Sequence, residues 1–269
     1  MKLAVVITTK NEEANIANCI HSFDAFRDEV EVIVVDNSST DKTKEIAASL
    51  GAKVLDTGPE RSAQRNLGWR TASSPWAVIL DADMILPEPT IREILAKCAS
   101  GADSETEAYW IPEVRTGEGI RVKARNFERS FYDGTCVDAL RLFSKKVLEK
   151  TGGYDEKLIA GPEDWDLDIR VLATGAKCEV LKGNLIHNEK RLTLAKMLSK
   201  KAYYTKSFAA YKAKWPGNAT VRKQFSPIYR YFGVFAENGK WRKALRHPIL
   251  FSVMMFERVL VGIVYLLHG

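Results

Sequence analysis

The chain has 269 residues, 46% hydrophobic and 28% charged, with a formal net charge of +6. That length buries a full core as one large domain, or as one domain with an appendage, and the composition excludes collagen-like and disordered chains. Cys19, Cys98, Cys136 and Cys178 are scattered without a C-x-x-C pair, which argues against a zinc knuckle or a disulfide framework and fits a reducing compartment.

Met1-Lys2 runs straight into the apolar Leu3–Ile7, too short a lead for a signal peptide, so a cytoplasmic chain is expected. Leu3–Ile7 reads as a central strand ending at Thr8-Thr9-Lys10-Asn11-Glu12-Glu13. Asn11 reads as the cap of a helix reaching about Phe26, with Glu12 and Glu13 in its first turn and Ile16, Cys19, Ile20 and Phe23 buried. Glu31–Val35 is a second strand, ending at Asp36-Asn37-Ser38-Ser39. A helix over Asp41–Leu50 stops at Gly51, and Lys53–Leu55 is a short third strand. Alternating strand and helix predict an α/β fold with a mostly parallel sheet and right-handed crossovers.

The segment from Gly58 to Gly68 places Arg61 and Arg65 at i and i+4 near a helix start. That position suits an anion, and equally suits two solvated surface arginines. Trp76–Leu80 is a buried strand that ends in two carboxylates, Asp81 and Asp83. Ligands collect at the carboxyl ends of parallel strands, and a hard divalent cation suits such a pair; an acidic turn is the plainer reading. Polar clusters recur at three strand ends, Thr8–Glu12, Asp36–Ser39 and Asp81–Asp83, and face one crevice if the strands are parallel neighbours. Neither G-x-G-x-x-G nor G-x-x-x-x-G-K-[ST] is present, so a dinucleotide site or a P-loop is unsupported.

Glu88–Cys98 is predicted as a helix, residues 100–106 as a polar loop, Tyr109–Pro112 and Ala139–Phe143 as strands, and Ile120–Tyr132 as a basic helix. Pro162 opens a helix with acids, Glu163 and Asp164, in its first turn, which a structural reading explains as N-terminal patterning. Trp165 reads as core. His187 closes a short apolar run at a strand end, where an imidazole can complete a metal site or donate to a diphosphate, or simply be structural. Leu192–Trp215 is helical in pattern, Pro216-Gly217 breaks it, and a further helix is expected over Thr220–Phe232. Residues 190–247 carry fifteen Lys or Arg against one acid, Glu237, a balance of +14 that leaves residues 1–189 at −8. An apolar stretch, Ile249–Leu267, follows, with Glu257-Arg258 at its centre. That length could just span a bilayer, but a central charge is costly there, so the stretch is expected to lie on, or shallowly in, an anionic membrane surface; spanning, core packing and homo-oligomer contact are the other readings. Basic residues interleaved with aromatics lack a nucleic-acid motif, so no nucleic acid is expected.

Four segments, Val5–Glu13, Ile33–Asp41, Gln64-Arg65-Asn66 and Leu80-Asp-Ala-Asp83, together resemble the inverting family 2 glycosyltransferases with the GT-A fold, and the likeness extends to about residue 189. The resemblance implies a catalytic domain over 1–189, with a nucleotide-sugar-binding half over 1–99 and an acceptor-side half over 100–189, followed by a basic helical extension over 190–269. It implies that Thr8, Lys10, Glu12, Asp36 and Arg65 contact the nucleotide-sugar. Asp83 would hold Mn²⁺ or Mg²⁺ on the diphosphate, with Asp81 near the ribose and the ion, and His187 as a further ligand. Glu163-Asp164 falls where the family has its E-D motif, which makes Asp164 the general base and Glu163 an acceptor-binding carboxylate. Processive members carry Q-x-x-R-W and several membrane spans, neither of which is found here, so transfer of a single sugar to a lipid-linked or glycan acceptor is expected at the inner face of the cell membrane. The alternatives are a nucleotidyltransferase of similar sheet, which would usually show a Gly-rich loop after the first strand, and a non-catalytic membrane scaffold.

Overall fold

The computed structural model describes residues 2–100, 105–159, 161–188 and 207–268. β1 (Leu3–Thr9), β2 (Val30–Asp36) and β4 (Trp76–Asp81) are runs of β-branched and aliphatic residues, buried on both faces as interior strands of a covered sheet are. β3 (Lys53–Asp56), β6 (Thr106–Trp110), β8 (Leu140–Ser144) and β9 (Lys177–Val180) complete a seven-stranded sheet in the order β3-β2-β1-β4-β8-β6-β9. Among these strands only β8 runs against the rest.

Side chains leave the sheet alternately to its two faces. Leu3, Val5, Ile7, Val78 and Leu80 meet α1 (Ile16–His21), α2 (Thr43–Ser49) and α4 (Glu88–Ser100) on one side. Ala4, Val6, Ile33, Val35 and Ile79 meet α3 (Arg61–Thr71), α6 (Lys145–Thr151) and α7 (Glu163–Ala173) on the other. The register sets Thr8 beside Asp81 and Thr9 beside Asp36, so all three polar strand ends share one edge of the sheet. The order turns outward from β1 in both directions, and that switch point opens the crevice. A second, three-stranded sheet pairs β10 (Leu185–His187) with β5 (Met84–Ile85) and β7 (Glu113–Arg115), and it sets His187 opposite Met84.

The basic extension is not detached from this body. Helical residues 207–214 (α8) and α9 (Ala219–Phe225) pack on α7: Trp165 stacks on Phe208 at 6.1 Å between centroids and shares a buried cluster with Leu158, Ile169, Tyr211 and Val221. Trp165 is therefore a half-buried packing residue against this cluster. Further on, a π-turn (Tyr229–Gly233), α10 (Val234–Ala236), α11 (Trp241–Arg246) and α12 (Pro248–His268) close over α5 (Ile120–Arg129), around Phe127, Phe131, Phe235 and Met254.

Several expected boundaries move. The first helix begins at Ile16 rather than Asn11, because Asn11 takes a positive φ of 54° and its Oδ1 accepts from the Thr40 N–H across the loop. It stops at His21 and is followed by a 3₁₀ turn, Asp24–Phe26, yet Ile16, Cys19, Ile20 and Phe23 are buried as expected. α2 is shorter than Asp41–Leu50, since the Asp41 carboxylate bonds Thr43 and holds the entry outside the helix. The basic helix ends at Arg129 rather than Tyr132. The helix expected over Thr220–Phe232 is cut after Phe225, where Ser226 is forced extended ahead of Pro227. The apolar stretch Ile249–Leu267 is helical throughout. The expectations for residues 192–206 and for most of the polar loop lie outside the described residues.

Candidate active site

Three consecutive residues at the start of α3 organise the crevice. Gly68, one turn later, lets α3 lie directly on β1, since a Cβ there would sit 2.2 Å from Val6 Cγ1. Gln64 can then donate to the carbonyls of Thr9 and Val35, at 3.0 and 2.7 Å, clamping the ends of β1 and β2. Asn66 donates to the Tyr154 carbonyl and to Glu156 Oε1, holding the Gly152-Gly153-Tyr154 loop. Between them, Arg65 is 1% exposed and reaches inward. Its Nη1 donates to Asp164 Oδ1 at 2.7 Å and lies 3.4 Å from Glu163 Oε1; its Nη2 lies 3.5 Å from Asp81 Oδ1. Of the two readings of Arg61 and Arg65, solvated surface is overturned for Arg65, whereas Arg61 is exposed.

Asp81 belongs to this arginine cluster. Its Oδ1 accepts the Thr8 hydroxyl at 2.9 Å, and its Oδ2 lies 3.8 Å from Arg61. Burial would raise its pKa, but Arg61, Arg65 and Arg141 together hold it well below the usual carboxylate range. Asp83 faces the other way. Its Oδ2 lies 3.2 Å from His187 Nε2, while His187 Nδ1 lies 2.9 Å from Glu113 Oε1. Burial alone would depress the imidazole, yet the two carboxylates raise it to about 9. Glu113 also accepts from Arg129 at 2.9 Å, which fixes the carboxylate that fixes the ring.

The Asp83–His187 pair fits a divalent cation. Asp83 Oδ1 is buried without a hydrogen-bond partner, a costly state that a bound cation relieves. A ligating His commonly donates its other ring N–H to a carboxylate, which fixes the ring. Among the described residues no group of three or more His, Cys, Asp or Glu is set to hold a metal, so the protein would supply only part of the coordination sphere. That suits an ion which keeps waters and bridges to phosphates. Asp81, expected near the ribose and the ion, lies against Thr8 and the arginines.

The remaining expected residues spread along the same edge. Thr8 is buried against Asp81, and Lys10 is exposed just past the end of β1. Glu12 accepts from Asn15 at 2.6 Å, and its own N–H donates to the Thr43 hydroxyl. Asp36 is fully buried and both its oxygens accept from Ser39, so its carboxylate shapes the loop after β2. Glu163 and Asp164 open α7; Glu163 is 2% exposed and accepts from the Gly161 N–H, and burial beside Asp164 raises it to about 7. Asp164 has a side chain 16% exposed, and its Oδ2 has no hydrogen bond among the described residues.

Two participants were missed in the sequence, Glu113 and Arg141. Arg141 lies on β8 one residue beyond the Val78–Leu142 pair, beside the end of β4. It is 7% exposed, its charge is felt by Asp164, Asp81 and Glu113, and its Nη1 is buried without a partner. The available signal was a lone charge inside the apolar run Leu140–Phe143. Glu113 followed Pro112 and gave no such signal.

A family model described as Glycosyl transferase family 2 matches residues 4–152. An uncharacterized glycosyltransferase of Rickettsia typhi is 35% identical over 147 residues, covering 54% of this chain and 47% of that protein. The chain thus spans about half the length of that relative. An uncharacterized glycosyltransferase of Mycobacterium bovis is 30% identical over 208 residues, covering 68% of this chain and 93% of that protein. Among solved structures, a mannosyltransferase of Pyrobaculum calidifontis, in complex with GDP-Man and Mn²⁺, aligns with a TM-score of 0.61 at 19% identity, over 100% of this chain and 81% of that one. The likeness establishes the GT-A fold.

Proposed function

The chain belongs to glycosyl transferase family 2, and we propose that it moves a single sugar, with inversion, from a nucleotide-diphosphate sugar to a lipid-linked or glycan acceptor at the cytoplasmic face of an anionic membrane. Mn²⁺ or Mg²⁺ is the proposed cofactor, in keeping with the GDP-Man and Mn²⁺ held by the Pyrobaculum enzyme. One observation carries the reading. The buried Arg65 joins Asp81, at the end of the donor-side strand, to Asp164, at the head of α7.

In this reading the donor diphosphate lies over the β1 and β4 ends, and Asp83 and His187 would hold the cation. When bound, that ion supplies Lewis-acid stabilisation of the leaving diphosphate. Arg65 fixes Asp164 through Oδ1, so Oδ2 is left to take the proton of the acceptor hydroxyl. The acceptor oxygen bonds to the anomeric carbon as the opposite bond, to the diphosphate, breaks. One displacement needs one base and inverts the centre. Glu163, tied to the Gly161 N–H, orients the acceptor. Arg141, whose Nη1 is buried without a hydrogen-bond partner, supplies a cation to anionic substrate oxygens.

The test is a screen of nucleotide-sugars for Mn²⁺-dependent consumption by the full chain, followed by two variants. Asp164→Asn is expected to keep donor binding and to lose transfer by on the order of 10² to 10⁴. Asp83→Ala is expected to fold and to lose Mn²⁺-dependent nucleotide binding. Wild-type transfer in the first variant would move the base to Glu163. Undiminished metal-dependent turnover in the second would remove Asp83 from the cation site.

A further inference from the structure

α12 has two faces of different character. Leu250, Phe251, Met254 and Arg258 face the body, whereas Ile249, Phe256, Val259 and Leu260 are 46–73% exposed. At 100° per residue the exposed set, with Ser252, falls within about a quarter of the helix circumference. The two central charges are spent inward. Arg258 bonds Glu128, the Tyr132 hydroxyl and the Arg230 carbonyl, and Glu257 accepts from Arg121 at 2.7 Å. The charges that argued against apolar burial therefore clamp the helix to α5 and leave its outer face free of them.

The neighbouring elements extend that surface. Trp241 and Leu245, at i and i+4 on α11, are 47% and 71% exposed. Ile228 and Phe232 stand out at 75% and 68% around the π-turn, whose Tyr231 hydroxyl reaches the Arg258 carbonyl. Eight of the twelve large hydrophobics that the described residues leave exposed fall within residues 228–260, so the apolar surface is concentrated on this extension. Large exposed apolar area on a folded protein marks a docking surface.

Charge decides what docks there. Residues 207–260 hold ten Lys or Arg against two acids, Glu237 and Glu257, and both acids are already paired, with Lys223 and Arg121. Arg242 and Arg246 are exposed on α11 beside Trp241 and Leu245. Two copies of so basic a face repel each other, whereas an anionic lipid leaflet offers both the charge and the apolar phase. We propose that α11, the outer face of α12 and the π-turn insert together into the headgroup boundary of an anionic membrane. α5 connects this face to the crevice, since it packs on α12 while its Arg129 holds Glu113 of the His187 pair. The inference deepens the membrane-acceptor reading but does not depend on the donor.

The experiment is co-sedimentation of the full chain with vesicles of phosphatidylcholine alone, or mixed with phosphatidylglycerol, at low and high salt. The chain is expected to bind the anionic vesicles. Leu245→Glu with Phe256→Glu, both on exposed positions, should abolish binding at every salt concentration without lowering the melting temperature. Arg242→Gln with Arg246→Gln should weaken binding about fivefold per residue, at low salt only. Nucleotide-sugar hydrolysis in solution is read in parallel; its survival in the Glu variant separates loss of docking from loss of catalysis. Wild-type vesicle binding by the Glu variant, or no binding by the parent chain, would overturn the proposal. A dimer in light scattering that the Glu variant dissociates would assign the face to a second copy.

Discussion

Arg65 shows how a charge is kept in a protein interior. Burying a lone guanidinium would cost several kcal/mol, and the cost is offset only by closely placed opposite charge. Asp81, Glu163 and Asp164 supply that charge from β4 and the head of α7, and Tyr154 lies under the guanidinium at 5.0 Å. None of this was legible locally, because two of the three carboxylates come almost a hundred residues later. Asp138 is a buried charge less well compensated. Burial pushes its carboxyl up to about 6, with Arg129, 3.9 Å away, opposing the shift. A carboxyl raised from its ordinary 3.8 contributes stability that is complete below about pH 4 and is lost as pH rises through 6. Asp138→Asn keeps an acceptor for the Gly134 N–H and removes that loss. It is expected to match the parent near pH 4 and to exceed it above pH 6, by on the order of 3 kcal/mol at most. Melting curves across that range check it, and a less stable Asn variant at neutral pH would show that Arg129 outweighs burial.

At the scale of the element, strands were more legible than helices. β1, β2 and β4 announce themselves as continuous apolar runs, and the polar residues at their ends fall on one edge as soon as the strands are parallel neighbours. The α1 boundary was not legible, because the loop after β1 is held by Ser39 and Thr40 of the loop after β2 and by Thr43 at the head of α2. Such cross-loop bonds leave no trace in local pattern. Nor did spacing reveal that β10 brings His187 to Asp83, although a strand-end histidine was the right clue. α3 depends on contact with β1 more than on helix propensity. Gly68→Ala would ordinarily favour a helix by about 1 kcal/mol, but the new Cβ meets Val6 at 2.2 Å, against a strand that cannot retreat. Overpacking of that kind costs roughly 1–3 kcal/mol or more. The expected outcome is a melting temperature several degrees lower, together with slower transfer, because α3 carries Arg65 to Asp164. An unchanged melting temperature would show that the helix shifts freely and that its contact with β1 is not tight.

At the scale of the whole molecule, charge suggested two units, an acidic body and a basic extension, and hydrophobic packing joins them. Charge asymmetry reports on surfaces, whereas the join is made by residues that look ordinary in sequence. Phe127, Phe131, Tyr132 and Val137 of the body share a cluster with Tyr229, Val234, Phe235 and Met254 of the extension. Leu158 and Ile169 likewise share one with Tyr211 and Val221. Polar bonds cross the same boundary: Gln224 donates to the Cys136 carbonyl, Trp215 to Asp166, and Lys240 to the carbonyls of Phe131 and Asp133. Uncovering a large apolar side chain costs about 1.5–3 kcal/mol, and six such side chains of the body would be uncovered at once. A domain is stable by only about 5–15 kcal/mol, so the loss is comparable with the whole. A chain ending at residue 206 is therefore expected to lose cooperative unfolding, bind a hydrophobic dye and fail to bind nucleotide, even though Asp83, Asp164 and His187 are all retained. Calorimetry and nucleotide titration of the two chains make the comparison. A truncated chain that melts cooperatively at the parent temperature would mean that the extension is a separable membrane anchor, and that the clusters around Phe131 and Leu158 close without it.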